Sequence, residues 1–250
     1  MKKAFALSVA CFAELVATNG HYDVGAETLA YVECASVDEP RLFVGESLPE
    51  LGEESPDRME YAAKMRLVAD GRWRTDAALA FHYLRFGEGA PVSDVKVVPV
   101  GRPMAERGTF ASPNPRHVQL RDVGVRTVRL CALDFLVDGL KRDRLPWGGD
   151  LAVSLLADAY VFGDAEIVRR SLSVLDAYEG DVNGIVTYSM WLVVAHDLYQ
   201  LHFGDREFLE ARWWRIRARV EDLVSRTDAR GFVAKGLDWV FVDWTGPESR

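Results

Sequence analysis

Hydrophobic positions along this chain follow one period in its first part and another in its second. Up to about residue 105 they fall in short β-like runs. Residues 22–37 (YDVGAETLAYVECASV) are rich in Tyr, Val and Thr and alternate apolar with polar around Leu29, Tyr31 and Glu33. Further runs cover 41–44 (RLFV), 77–86 (AALAFHYLRF) and 95–100 (VKVVPV). Clusters of Gly, Pro, Asp or Glu bound each run, as expected for strands of an antiparallel sandwich. The acidic stretch 46–58, with two prolines, predicts an exposed loop.

From Pro115 the apolar residues recur at three- and four-residue steps, the period of a helix. Val118, Val125, Val128, Ala132, Phe135 and Leu136 mark a first helix, and Leu151, Leu155, Ala159 and Phe162 a second. Ile167, Leu172 and Leu175, then Trp191, Val194, Leu198 and Leu201, then Phe208, Trp213, Ile216, Val220 and Leu223 mark three more. A three-residue repeat supports this reading. Phe162-Gly163-Asp164 returns as Phe203-Gly204-Asp205 about 40 residues later. In each copy Gly suits the left-handed position after a helix and Asp suits the N-cap of the next. Stacked αα-hairpins produce such a recurrence. Two regions follow: a partial antiparallel β-sandwich over 1–110 and an all-helical array of αα-hairpins over 111–250.

Composition narrows the function classes. The chain has 250 residues, 49% of them hydrophobic and 27% charged, with a net charge of -8. An acidic surface disfavours nucleic acid and anionic membrane surfaces as partners. Cys11, Cys34 and Cys131 are scattered and odd in number, so they predict small buried hydrophobes, with neither a disulfide framework nor a zinc site. Residues 1–17 imitate a signal peptide, but Glu14 interrupts the apolar run, so a cytoplasmic location is expected ahead of export.

The chemistry concentrates in residues 138–150, DGLKRDRLPWGGD. This stretch carries Asp138, Asp143 and Asp150, the cations Lys141, Arg142 and Arg144, and Trp147, on a chain that Gly139, Pro146, Gly148 and Gly149 keep from forming one helix. Asp150 is expected to N-cap the helix starting at Leu151. Glycosidic cleavage needs a carboxylic acid to protonate the leaving oxygen and a second carboxylate to activate water or attack the sugar. Charged groups grip hydroxyls and aromatic faces meet sugar C–H patches, so these parts suit a sugar site. On composition alone, a loop crosslinked by surface ion pairs, each worth about 0–1 kcal/mol, explains the segment equally well.

The thirteen residues DGLKRDRLPWGGD resemble the signature of bacterial α-L-rhamnosidases of glycoside hydrolase family 78. LAFHYLRF resembles the last strand of that family's sandwich, and TVRLCALDFLVDG the first helix of its catalytic barrel. FGDAEIVRRSL, TYSMWLVVAHDLYQLHFGD and GLDWVFVDW resemble the elements that follow, so the likeness runs from about residue 20 to 245. It implies the end of a sandwich followed by the first half of an (α/α)6 six-hairpin toroid. It implies an inverting acid/base hydrolysis of terminal, non-reducing α-L-rhamnose, with a rhamnose-containing glycoside or oligosaccharide as partner and neither cofactor nor metal. Carried over by position, Asp143 falls at the general acid, Asp138, Arg142 and Asp150 at rhamnose hydroxyls, and Trp147 at the pocket wall. These five are expected on one concave surface.

Two departures from the family pattern stand out. Many members have Glu at the acid position, and Asp143 is shorter by one methylene, about 1.5 Å. The family's base lies far downstream in the second barrel half, which these 250 residues are expected to lack. A truncated, non-catalytic carbohydrate-binding remnant is therefore the alternative function. Half a toroid would leave apolar inner helix faces without partners, opening a route to oligomers.

Among the remaining aromatics, Trp191, Trp239 and Trp244 are candidate sugar platforms, with helix-core packing as the competing reading, and Tyr188 lines the pocket by resemblance only. Trp213 and Trp214 in RWWRIRAR are expected to pack, and His196 to be structural.

Overall fold

The computed structural model of the chain describes residues 17–52, 62–89, 91–141 and 143–233. They divide into two compact units: Met1–Pro103 with Gly139–Asp143, and Met104–Asp138 with Arg144–Arg250.

The first unit is a curled, seven-stranded antiparallel sheet: β1 (Tyr22–Ala35), β2 (Leu42–Gly45), β3 (Ala62–Ala63), β4 (Met65–Ala69), β5 (Arg72–Thr75), β6 (Leu79–Phe86) and β7 (Ser93–Pro99). The order is β3-β2-β6-β1-β5-β4, with β7 also on β1. The curl has a local cause. Between the pairs Asp23↔Tyr83 and Thr28↔Phe81, β1 advances five residues while β6 advances two. Gly25 absorbs the excess at φ 85°, and its N–H donates to Asp23 Oδ1 at 2.6 Å. A residue with a Cβ pays for that left-handed conformation. Beyond the bulge β1 alternates as a half-buried strand should, with Ala30, Val32 and Cys34 buried among Leu42, Val44, Phe81, Leu84, Val95 and Val97. Each large apolar side chain so buried stabilises by about 1.5–3 kcal/mol.

Three features of this region add to or change the expected runs. The buried register of β1 is the even one, so Tyr31 and Glu33 face away from the core while Leu29 is buried beside Ala30. The β4–β5 hairpin, paired through Ala69↔Arg72, was absent from the strands expected. In the expected exposed loop, Leu48–Gly52 form a 3-10 turn that buries Leu51; residues 53–58 lie outside the described residues.

The second unit contains five α-helices among the described residues: α1 (Pro115–Cys131), α2 (Gly148–Val161), α3 (Ala165–Leu175), α4 (Val186–Phe203) and α5 (Arg206–Ser225). Leu151, Leu155, Ile167, Leu172, Leu175, Leu192, Ala195 and Tyr199 share its core, at helical spacing on α2, α3 and α4. Both Phe-Gly-Asp corners have the expected form. Gly163 and Gly204 are left-handed at φ 61° and 63°. Asp164 accepts from the N–H groups of Glu166 and Ile167, and Asp205 from that of Phe208. Asp205 also accepts from Tyr199 OH at 2.8 Å, which ties the cap to the core.

Other helix expectations change. The first helix stops at Cys131, before Phe135 and Leu136, because the chain folds back there: Val137 N–H donates to Cys131 O at 3.0 Å, and Leu136 N–H to Ser171 Oγ at 2.9 Å. Helix α2 begins at Gly148, with Trp147 as N-cap, so Asp150 sits inside the first turn instead of capping it. Its charge still faces the positive end of the helix dipole. Trp213 and Trp214 are exposed rather than packed. Val153 and Tyr160 on α2 and Leu201 on α4 are 69%, 69% and 74% exposed, so apolar helix surface remains uncovered within this unit. Among the described residues no helix is long and apolar enough to cross a membrane.

Two glycine replacements should move stability in opposite directions. Gly204→Ala forces a Cβ into a left-handed cap with open space around it and should cost about 1–2 kcal/mol. Gly124→Ala, mid-helix in α1 and equally uncrowded, should gain about 1 kcal/mol. Urea midpoints of the two variants check this; shifts of the same sign would contradict the assignment.

Candidate active site

The α1–α2 connection carries the signature, and its residues divide between the units. Gly139–Asp143 group with the sheet, and Asp138 and Arg144 onward with the helices. Asp143 is exposed, and Arg144 after it is left-handed at φ 55°. Arg142 lies outside the described residues, as do Trp239 and Trp244. In the helical unit, Asp138 N–H donates to Leu145 O at 3.3 Å. Its half-buried carboxylate lies close enough to Cys131 to help burial push that thiol upward.

Asn183 holds the next stretch. Its side-chain oxygen accepts from Gly148 N–H at 3.0 Å and its side-chain nitrogen donates to Pro146 O at 3.2 Å, so one amide brackets Trp147 from both sides. Asn183 is itself left-handed at φ 54°, a conformation Asn tolerates better than most residues. The same nitrogen also donates to Tyr178 OH at 3.3 Å.

Trp147, half-buried, meets Tyr188 edge to face at 6.1 Å and 84°. Tyr188 OH donates to Asp150 Oδ2 at 3.5 Å, a long bond. Close backbone approach makes this possible. A Cβ on Gly148 would stand 2.8 Å from Tyr188 O, and one on Gly149 2.7 Å from the Tyr188 ring. The N-termini of α2 and α4 thus bring Trp147, Tyr188 and Asp150 together, an aromatic face beside a phenol and a carboxylate. Trp191, one turn further along α4, is 45% exposed among the described residues.

A cleft of about 650 Å³ elsewhere in this unit is lined by Asp176, Tyr178, Asp181, Trp214, Arg219 and Arg226 among others, and by none of the signature residues. Several of its polar groups pair with one another. Arg226 pairs with Asp181 at 2.7 Å, and Arg219 donates to the carbonyls of Tyr178 and Gly180. Arg226, against some opposition from burial, holds the Asp181 carboxyl below the usual range. These contacts brace the turn that leads to Asn183. His196 is buried against Asp176 at 2.9 Å, a structural pair.

The sheet unit contributes a cluster that sequence reading missed. Lys141, 17% exposed, places Nζ 2.6 Å from Glu50 Oε2 and 4.0 Å from Glu46 Oε2. Burial would raise the Glu50 pKa, but Lys141, Glu46 N–H and Ser47 OH hold it below the usual range. Glu27 is pushed up to about 7 by burial and then by the Glu46 carboxylate, which it also hydrogen-bonds, while Lys141 opposes the rise. Among the described residues, no group of three or more His, Cys, Asp or Glu is arranged to hold a metal ion.

Residues 105–250 match the family model described as the bacterial alpha-L-rhamnosidase six-hairpin glycosidase domain. No curated protein matches the chain. Among solved structures, a rhamnosidase from Klebsiella oxytoca with rhamnose bound is similar at 24% identity and a TM-score of 0.75, covering 93% of this chain and 54% of that one. The family 78 rhamnosidase of Bacillus sp. GL1 is similar at 20% identity and a TM-score of 0.72, covering 92% and 27%. An α-L-rhamnosidase from Aspergillus terreus is similar at 18% identity and a TM-score of 0.63, covering 96% and 32%. At these identities the likeness establishes the fold, and the chain spans about half the length of the Klebsiella protein or less of the others.

The raised Glu27 pKa predicts a pH-dependent stability. Below an unfolded value of 4.5 Glu27 is protonated in both states. Between there and about 7 only the folded state keeps the proton, so stability falls as pH rises and the full penalty applies above 7. Glu27→Gln removes the penalty and should gain about 1 kcal/mol over wild type at pH 8, after discounting for partial exposure. At pH 4 the gain should vanish. Urea titrations at both pH values check this, and a gain independent of pH would contradict it.

Proposed function

The chain belongs to the bacterial α-L-rhamnosidase six-hairpin glycosidase family, and from that premise we propose that it hydrolyses terminal α-L-rhamnose from a glycoside or oligosaccharide. The observation that carries this reading is the grouping of Trp147, Tyr188 and Asp150 at the N-termini of α2 and α4, within the matched domain. A rhamnosidase of the same fold with rhamnose bound supports the choice of sugar.

In the proposed mechanism Asp143 gives its proton to the leaving glycosidic oxygen. Asp138, Arg142 and Asp150 hold rhamnose hydroxyls, Trp147 offers its face to the sugar's C–H patch, and Trp191, Trp239 and Trp244 extend the aromatic surface. Positive charge grows on the ring carbon in the transition state, so carboxylates around it lower the barrier. The reaction inverts, through a water activated by a base roughly 6.5–9.5 Å from the acid. We assign that base to no residue of these 250 and place it in the remainder of the six-hairpin domain. The helices then form the first half of an (α/α)6 toroid, and the sheet the end of a sandwich. The alternative, a non-catalytic carbohydrate-binding protein, would use the same sugar contacts without turnover.

Hydrolysis measured on the 250-residue chain, and on the chain extended through a whole six-hairpin domain, separates the readings. The extended protein should turn over aryl rhamnosides and the shorter one should bind rhamnose weakly with almost no turnover. In the extended protein Asp143→Asn should lose about 10²–10⁴-fold on substrates with poor leaving groups. Activated aryl rhamnosides should lose much less, because their oxygen departs without protonation. Equal losses would mean that Asp143 is not the acid, and an inactive extended protein would favour the binding alternative.

A further inference from the structure

The Gly139–Asp143 segment belongs to the sheet unit although the signature around it continues into the helices. Two of its residues are anchored. Leu140 is buried, 8% exposed, and the Lys141 ammonium is nearly enclosed and paired to Glu50. Glu50 is itself held. Glu46 N–H donates to its Oε2 at 3.1 Å and Ser47 OH to its Oε1 at 3.3 Å. A Cβ on Gly45 would lie 2.7 Å from Glu50 Cβ, so the turn out of β2 brings Glu50 in only because glycine stands there. The following Leu51 is buried, and its carbonyl accepts from Arg85 Nε of β6 at 2.5 Å. Arg85 lies over the Phe43 ring at 4.1 Å. A continuous set of contacts therefore runs from the sheet core through Arg85, Leu51 and Glu50 to Lys141.

We propose that Lys141 is a positioning residue for the reaction: its ion pair with Glu50 fixes the Gly139–Asp143 segment on the sheet, and so sets where the Asp143 carboxyl stands. The inference rests on the reading of Asp143 as the acid. The energetic argument is one of geometry more than of strength. A pair this enclosed gains Coulomb energy and loses hydration in similar measure, so its net stabilisation is small. Its effect is to hold Leu140 and Lys141, just ahead of Asp143, in one arrangement on the sheet unit, while Arg144 on the other side of Asp143 departs from ordinary backbone angles. An acid displaced by about 1 Å can cost on the order of 100-fold in rate, so a pair of little stabilising value can still matter for turnover.

The test uses Glu50→Gln and Lys141→Met. In the 250-residue chain, hydrogen–deuterium exchange over residues 139–145 should quicken in both variants by about tenfold or more, while peptides from β1 and β6 keep wild-type rates. In the extended protein, both variants should lose kcat on poor leaving groups by about tenfold or more with KM little changed, and lose far less on activated aryl rhamnosides. Lys141→Arg, which keeps the charge, should recover part of the loss. Added to Asp143→Asn, Glu50→Gln should cost nothing further on poor leaving groups. Unchanged exchange over 139–145 overturns the clamp. Quickened exchange with equal losses for both leaving groups overturns the positioning role and leaves only a structural anchor. Failure of the acid assignment itself shows separately, in Asp143→Asn, whatever the exchange rates do.

Discussion

The close approach of two helix N-termini governs the helical unit. Gly148 and Gly149 at the start of α2 meet Tyr188 near the start of α4 at distances where a Cβ on either glycine would force Tyr188 to move. Overpacking a close contact costs about 1–3 kcal/mol, and here the obstructing atom for Gly148 is a carbonyl oxygen, which no rotamer change can remove. The glycines are thus a condition for packing α2 on α4 as much as punctuation in a loop. Asn183 completes the arrangement by pairing with both flanks of Trp147, and Arg219 of α5 and Arg226 just after that helix brace the turn before Asn183. The tryptophan's setting is therefore determined by residues on three other elements.

The legible parts of this structure were those written in local periodicity or local chemistry. The change from period 2 to 3.6 located the sheet and the five helices, and the two Phe-Gly-Asp corners were readable because a left-handed glycine and a capping aspartate act within three or four residues. Boundaries fared worse where long-range contacts decide. Apolar spacing carries α1 on through Leu136, but Ser171, 35 residues away, takes the Leu136 N–H and turns the chain. Trp147 replaced Asp150 as the N-cap of α2 because Gly148 finds its partner in Asn183, not in a local carboxylate. The β4–β5 hairpin had a usable signal in Asp70-Gly71, with Gly71 at φ 64°, obscured by the arginines around it.

The site shows the same division. Trp147 and Asp150 were legible as candidates because a Trp beside carboxylates on a glycine-broken loop is an unusual concentration of chemistry. Asn183 carried only the turn signal of an Asn-Gly pair, and nothing local in the sequence joins it to a tryptophan 36 positions earlier. Glu46 and Glu50 fell in a stretch expected to be an exposed acidic loop. Their meaning depends on a lysine more than 90 residues downstream, a pairing that no periodicity encodes.

That pairing bears on the proposal that Asp143 is the acid, where many members of the family have glutamate. A glutamate can compensate for an imperfectly placed backbone through one more rotatable bond, whereas an aspartate projects its carboxyl almost directly from the main chain. Shortening the acid by about 1.5 Å therefore shifts the demand for accuracy from the side chain to the segment that carries it. In this chain that segment is short, is anchored by a buried leucine and an enclosed ion pair on one side of Asp143, and is followed at once by a left-handed residue on the other. A side chain of few rotamers adds little entropy cost to holding the carboxyl in place. On the proposed assignment, a short acid suits a segment anchored two residues earlier: a longer side chain on the same backbone would carry its carboxyl about 1.5 Å further from the main chain.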